Sequence, residues 1–350
     1  MLVALKDLQY AKSRFLLIGL VVALLTVLVG FLTGLGKGLN HEGNQAIADS
    51  NAQNIAFKKP SGNSQLSFTD SQLKQQDIQE YQSSLGADHV QPVGLSMGKI
   101  SKGANTDNVT MLGKNTIPTG KVDISEDTAK LLDVKAGDTV QIFSKDYIVD
   151  KVTPPSTFAF ANAMTMNLTD WQQDAAITTG TPDVKASFLS IDDNQSIPTE
   201  LQNKTNTVVK TKAESYDGIS GYSAQASSFT MINSMLYGIS ALVMGAFFAV
   251  WTAQRKHDIA VLKALGASKG SLLIDALIQA LIVLVAGIAV GTALTAIMGE
   301  MVSKVMPFTL NATTLGLPAI ILLATGLLGA GLAVKSISKV DPLTALGSAR

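Results

Sequence analysis

Few residues in this 350-residue chain have the type and spacing to do chemistry. No cysteine is present, which removes thiolate catalysis, disulfides and sulfur-built zinc or iron–sulfur sites. His41, His89 and His257 are widely spaced, so a histidine metal cluster would need very distant pieces. Neither a G-x-S-x-G nucleophile turn nor a G-x-x-x-x-G-K-[ST] phosphate loop occurs. The adjacent acids Glu126-Asp127 and Asp192-Asp193 are expected to be helix-start and turn acids, not the paired carboxylates of a hydrolase. Asn108-Val-Thr, Asn167-Leu-Thr and Asn311-Ala-Thr match a glycosylation acceptor pattern too short to carry weight. The chain reads as non-catalytic, with no catalytic or metal residue and no permanently bound cofactor.

One stretch has organised chemistry. Across 254–269, Ile259, Leu262 and Leu265 recur at three-residue spacing beside Arg255, Lys256 and Lys263, and Gly266 ends the pattern. This is a short amphipathic helix. It suits a membrane surface, with its cations at lipid phosphates, or a docking contact for a cytoplasmic partner.

The elements that position this stretch are membrane spans. Hydrophobic residues make up 47% and charged residues 15% of the chain, and mean hydropathy is +0.27, far from a soluble domain. Residues 15–36 are uncharged and long enough to cross a hydrocarbon core of about 30 Å at about 1.5 Å per residue. Lys6, Lys12 and Arg14 precede that run and Ala46-Ile47-Ala48 imitates a cleavage site, but the run is too long for a signal-peptide core. Further spans are expected over 219–254, 271–299 and 305–334. The fold class is therefore membrane α-helical, four transmembrane helices with an α+β domain over 37–218 inserted between the first and second.

Charge placement orients it. The lead-in 1–14, the loop 255–270 and the tail 335–350 share one side and hold all three arginines, Arg14, Arg255 and Arg350. That side is cytoplasmic by the positive-inside rule. The 37–218 segment, with sixteen lysines against twenty-two acids, is extracellular and acidic. With 27 basic and 27 acidic residues overall, no nucleic-acid footprint exists. In the outer segment 109–112, 139–143 and 147–152 read as strands, 71–84 and 199–204 as helices, and 129–142 as helix, Gly137-Asp138 turn and strand. The polar stretch 43–63 is expected to be an extended connector.

The loop Arg255-Lys-His-Asp-Ile-Ala-Val-Leu-Lys-Ala-Leu-Gly-Ala-Ser268 resembles the FtsX-like or MacB-like permease family of ABC transporters, whose loop reads roughly R-K-x-E-I-A-V-L-R-A-L-G-A-S. Asp258 stands where Glu is usual and Lys263 where Arg is usual. Val340-Asp-Pro-Leu-Thr-Ala-Leu346 is similar to the family's C-terminal D-P-x-x-A-L, and Ala4-Leu-Lys-Asp-Leu with Lys12-Ser-Arg-Phe15 resembles its lead-in. The resemblance implies a separate cytoplasmic ABC ATPase that supplies ATP hydrolysis and docks through Arg255, Ile259, Leu262, Lys263, Leu265 and Gly266. It implies a homodimer, since four helices are too few to enclose a pathway, and motion by rocking levers instead of a lined pore. The small-residue spacing Gly30-xxx-Gly34, or Gly287-xxx-Gly291, is a candidate dimer-packing face.

Within the family, Leu66-Ser-Phe-Thr69, Val134-Lys-Ala-Gly-Asp138 with Tyr147, and Trp171-Gln172 most resemble HrtB-type permeases of heme-efflux systems and the related DevC-type exporters. Heme as substrate is what this resemblance implies. A lipid-facing site would then draw ligands from Met231, Met235, Tyr237 and Met244, since thioether and phenolate both bind heme iron. His41 and Tyr222, near outer span ends, are weaker candidates. Export of an antimicrobial peptide or a lipid-linked cargo stays open, as does FtsX-like control of a cell-wall hydrolase without transport. The expected location is the plasma membrane of a single-membrane bacterium, in contact with lipid.

Overall fold

The structure, a computed structural model, describes residues 12–62, 64–179, 183–192, 196–254, 261 and 268–337. They fall in two compact units, Met1–Leu39 with Ser227–Arg350, and Asn40–Ala226. In chain order the elements begin with α1 (Lys12–Ala48), β1 (Asn54–Lys58), α2 (Gln75–Leu85), β2 (Val90–Lys102), β3 (Asn105–Lys114) and β4 (Lys121–Ser125). Next come α3 (Glu126–Leu132), β5 (Thr139–Ile142), β6 (Lys145–Thr153), β7 (Thr157–Phe158), β8 (Ala161–Asn167) and α4 (Leu168–Thr179). The chain continues with β9 (Phe188–Ile191), α5 (Thr199–Thr205), β10 (Thr207–Thr211), α6 (Lys212–Ser215), α7 (Tyr222–Gln254), α8 (Lys269–Val302) and α9 (Ala312–Ile337).

Four helices are long and apolar enough to cross a membrane: Phe15–Ala48, Tyr222–Gln254, Ile274–Val302 and Ala312–Leu332. The first runs well past residue 36, so 43–48 is helix and 54–58 is a strand in mid-sheet, not the extended connector its polar composition suggested. A polar helix end is stable here because Ile47 and Ala52 are buried in the core of the inserted unit. The fourth helix begins later than expected because Phe308 turns into the bundle and Asn311 caps α9, its Oδ1 accepting from Thr314 N at 2.7 Å. Asn167 does the same at the start of α4, accepting from Thr169 N at 2.8 Å. Two of the three acceptor-like sequence patterns are thus helix starts.

The inserted unit carries a ten-stranded sheet ordered β10-β1-β9-β2-β3-β8-β4-β6-β5, with β7 on β8. β5 also pairs with β2, Ile100 opposite Ile142, so β2, β3, β8, β4, β6 and β5 close on themselves. Closure removes two edges and encloses a core of Ile100, Met111, Ile124, Ile142, Met164 and Met166. The long β2–β3 hairpin turns at Gly103, whose φ of 61° suits glycine, a pairing that single-strand periodicity did not reveal. Trp171 of α4 lies over Gly94 and Gly113, which are cross-strand partners; a Cβ on Gly113 would stand 2.6 Å from the tryptophan Cβ. Its Nε1 donates to Ser96 Oγ at 2.9 Å. The open half of the sheet buries Phe57, Phe68, Phe158 and Phe188, with Phe68 edge-on to Phe158 at 5.2 Å and to Phe188 at 5.0 Å. Such pairs add about 0.5–1.5 kcal/mol each beyond area burial.

The other unit is a helix bundle assembled by close approach. A Cβ on Gly287 would meet Val22 at 2.8 Å, one on Gly291 would meet the Ala23 carbonyl at 2.6 Å, and Gly329 faces Gly245. Several helix hydroxyls are returned to their own backbones, as Thr26 donates to Val22 O at 2.8 Å, Thr33 to Val29 O at 2.8 Å and Thr295 to Gly291 O at 2.8 Å.

Candidate functional site

The residues expected to dock an ATPase, Arg255, Ile259, Leu262, Lys263, Leu265 and Gly266, lie outside the described residues. The structure describes their flanks: α7 ends at Gln254, and α8 begins after Ser268, whose Oγ accepts from Ser271 N at 3.2 Å as an N-cap.

The four candidate heme ligands all sit on α7 but divide between two faces. At 3.6 residues per turn, Met231 and Met235 are separated by roughly 40°, while Tyr237 and Met244 lie on the far side. Met231 is 61% and Met235 62% exposed. Met244 is buried, its sulfur held over Gly326 and packed with Phe248, Leu284 and Leu322, so it is a core residue with no open coordination position. Tyr237 is half-buried against that core, and its hydroxyl bonds the Thr33 side chain. One chain therefore does not gather the four into a single ligand set; it presents Met231 and Met235 together. Tyr222 packs edge-on against Tyr216 at 5.6 Å, and His41 is exposed.

The expected dimer-packing glycines are used inside the chain. Gly30 faces Thr295, with a would-be Cβ 3.0 Å from Thr295 Cγ2, and Gly34 faces the Phe308 ring. Gly287 and Gly291 complete the same contact from α8. The sequence spacing marks close approach correctly but does not say whether the approaching helix belongs to the same chain.

Glu126 and Asp127 open α3 and lie 3.6 and 3.7 Å from Lys130, as solvated helix-start acids. Asp192 pairs with His89 at 2.8 Å, and Asp193 lies outside the described residues. No group of three or more His, Asp or Glu able to hold a metal occurs among the described residues.

A polar cleft in the inserted unit was missed by sequence reading. It is formed where residues 46–51, at and beyond the end of α1, overhang the sheet, as two adjoining hollows of about 290 Å³ and about 200 Å³ that share Ala46, Asp49, Ser50, Leu112 and Lys114. The first also holds His89, Gln91, Ser190 and Asp192, and the second Asp123, Thr153 and Thr165. Burial holds the Lys114 ammonium below its ordinary pKa and pushes the Asp123 carboxyl up, the nearby Asp150 adding to the latter. These residues come from β2, β3, β4, β6, β8, β9 and the end of α1. No local pattern could have joined them.

Residues 230–342 match the family described as FtsX-like permease C-terminal. Over 358 residues, 98% of each chain, the protein is 27% identical to a protein of Staphylococcus haemolyticus assigned as hemin transport system permease protein HrtB. It is 24% identical over 354 residues, again 98% of each chain, to an uncharacterised ABC transporter permease of Mycobacterium bovis. Among solved structures, the periplasmic region of MacB from Actinobacillus actinomycetemcomitans covers 49% of this chain and 95% of its own at 13% identity, with a TM-score of 0.34, too loose a likeness to argue from.

Proposed function

We propose that the chain, a multi-pass protein with an FtsX-like region over 230–342 and a large domain between its first two spans, is the permease subunit of an ABC transporter and extrudes heme from the membrane. It works as a homodimer with a separate cytoplasmic ATPase, which docks on the 255–270 loop and contributes the ATP hydrolysis that this chain has no phosphate loop to perform. The observation that carries the reading is the pair Met231 and Met235. Two thioethers one helical turn apart stand exposed on an apolar helix, and the chain aligns end to end with relatives assigned to hemin transport. Thioether sulfur is an axial ligand for heme iron, and the apolar porphyrin suits a lipid-facing helix. Two copies with these faces opposed would offer sulfur from both sides.

The spans favour levers over a lined channel, because the helix hydroxyls of Thr26, Thr33 and Thr295 bond to the backbones of their own helices. ATP-driven closure of the ATPase pair would rock the helices as packed units.

Titration of the purified dimer with hemin tests the cargo. A saturable Soret shift near one heme per dimer, altered in Met231→Ala or Met235→Ala and unaltered in Met244→Leu, is expected. Binding no stronger than to empty detergent micelles would remove heme and leave a cationic peptide as the next cargo, which the acidic outer segment favours with twenty-two acids against sixteen lysines. Leu262→Asp and Gly266→Trp should each abolish co-purification of the ATPase while the chain stays in the membrane; normal co-purification with both would end the docking assignment.

A further inference from the structure

The cleft at the end of α1 contains two groups of opposite charge, the Lys114 ammonium and one carboxylate oxygen of Asp123, that lack a hydrogen-bond partner among the described residues. Lys114 lies half-buried between the two hollows, and its ammonium makes no hydrogen bond or ion pair among the described residues. Asp123 accepts from the backbone of Lys151 through its carboxyl group, yet its Oδ1 is buried without a partner. Unmatched polar groups in such positions cost free energy that surface groups do not. The two are not paired with each other, since Asp123 Oδ1 has no partner. Leu112 of β3 is level with Thr165 of β8, and Thr165 with Asp123 of β4, so two strand intervals of about 4.8 Å separate their backbones.

We propose that this cleft binds a small zwitterion, its carboxylate on the Lys114 ammonium and its protonated amine donating to Asp123 Oδ1. A ligand with both charges spans the gap that keeps the two residues apart. A simple anion is disfavoured, because Asp49, Asp123 and Asp192 line the same space; Asp192 is paired with His89 at 2.8 Å, and Lys151 answers Asp123 only in part, leaving its Oδ1 without a partner. A simple cation leaves Lys114 unmatched and adjacent to it. A metal ion finds no three-ligand group among the described residues. Hollows of about 290 Å³ and 200 Å³ sit at or below the lower bound of drug-sized sites, so the ligand has the size of an amino acid or dipeptide. Ser50, Gln91 and Thr165 supply further hydrogen-bonding groups around it.

The site lies wholly within residues 40–226 and does not depend on the cargo of the spans. Calorimetric titration of the full-length protein in lipid nanodiscs with β-alanine, propionate and ethylamine tests it. β-Alanine is expected to bind about tenfold or more tightly than either singly charged probe, and Lys114→Met or Asp123→Asn to lower its affinity about tenfold. Propionate binding as well as β-alanine would overturn the proposal, as would the absence of binding by β-alanine, glycine and γ-aminobutyrate at about 50 mM. Equal β-alanine affinity in both folded variants would also overturn it. Should a variant fail to fold, the comparison of ligands on the native chain still decides.

Discussion

The inserted domain and the helix bundle solve the same packing problem with opposite materials. In the domain, small residues are sockets for large ones: Gly94 and Gly113 exist to receive Trp171, and four phenylalanines interlock beside the open sheet. In the bundle, Gly34 and Gly326 likewise receive Phe308 and Met244, but the closest helix approaches set small residues against backbone or short side chains, Gly291 against Ala23 and Thr26, Gly245 against Gly329. The reason is solvent. In water, removing large apolar surface drives folding; in lipid that drive is absent, and helices associate through close van der Waals approach.

Large-to-small substitution should therefore wound the domain most. Trp171→Ala is expected to destabilise it by about 3–5 kcal/mol, visible as a lowered thermal melt by circular dichroism. A change under about 1 kcal/mol would mean that the sockets close without their occupant. Small-to-large substitution should be the comparable injury in the bundle. Gly291→Leu drives a side chain into the Ala23 carbonyl and should cost about 1–3 kcal/mol, read as a lower unfolding temperature in detergent. Gly238→Ala sharpens the contrast, since nothing lies within 4 Å of a Cβ there. It should be neutral or stabilising by about 0.5–1 kcal/mol. Equal damage at both glycines would refute close approach as the organising contact.

A smaller, pH-limited effect separates the units further. Burial, aided by the hydrogen bond to Asp174 at 2.8 Å, raises the Tyr147 pKa well above its ordinary value of 10.0. The unfolded phenol then loses its proton first, so the stability from this group is complete below pH 10 and is lost as pH rises beyond it. The native domain should weaken above about pH 10 more steeply than Tyr147→Phe, measured by denaturant midpoint across pH 9 to 12. Parallel curves would place Tyr147 outside the alkaline transition. Least of all, Lys130→Ala should change stability by no more than about 0.5 kcal/mol, because its contacts with Glu126 and Asp127 are solvent-exposed.

Much of the architecture was legible because each signal is local. Uncharged runs long enough to span lipid marked the four helices, and arginine placement oriented them. α3, the Gly137 turn and β5 were visible as periodicity broken by glycine. The connector over 43–63 was misread because polar composition says nothing about whether a neighbour will cover the backbone. Met244 shared its sequence signal with Met231 and Met235, and only packing distinguishes a sulfur over Gly326 from two that are exposed.

Sequence by itself determined the span count, the sidedness and the absence of a phosphate loop, and set the expectation of a docking helix over 255–266. These follow from composition and spacing within a single segment. Tertiary structure alone decided that Gly30 and Gly34 meet Thr295 and Phe308 of their own chain, that six strands close through the β2–β5 pairing, and that Lys114 and Asp123 share one cleft. Each of these depends on which distant segments become neighbours, and that is set by register and closure across the whole chain.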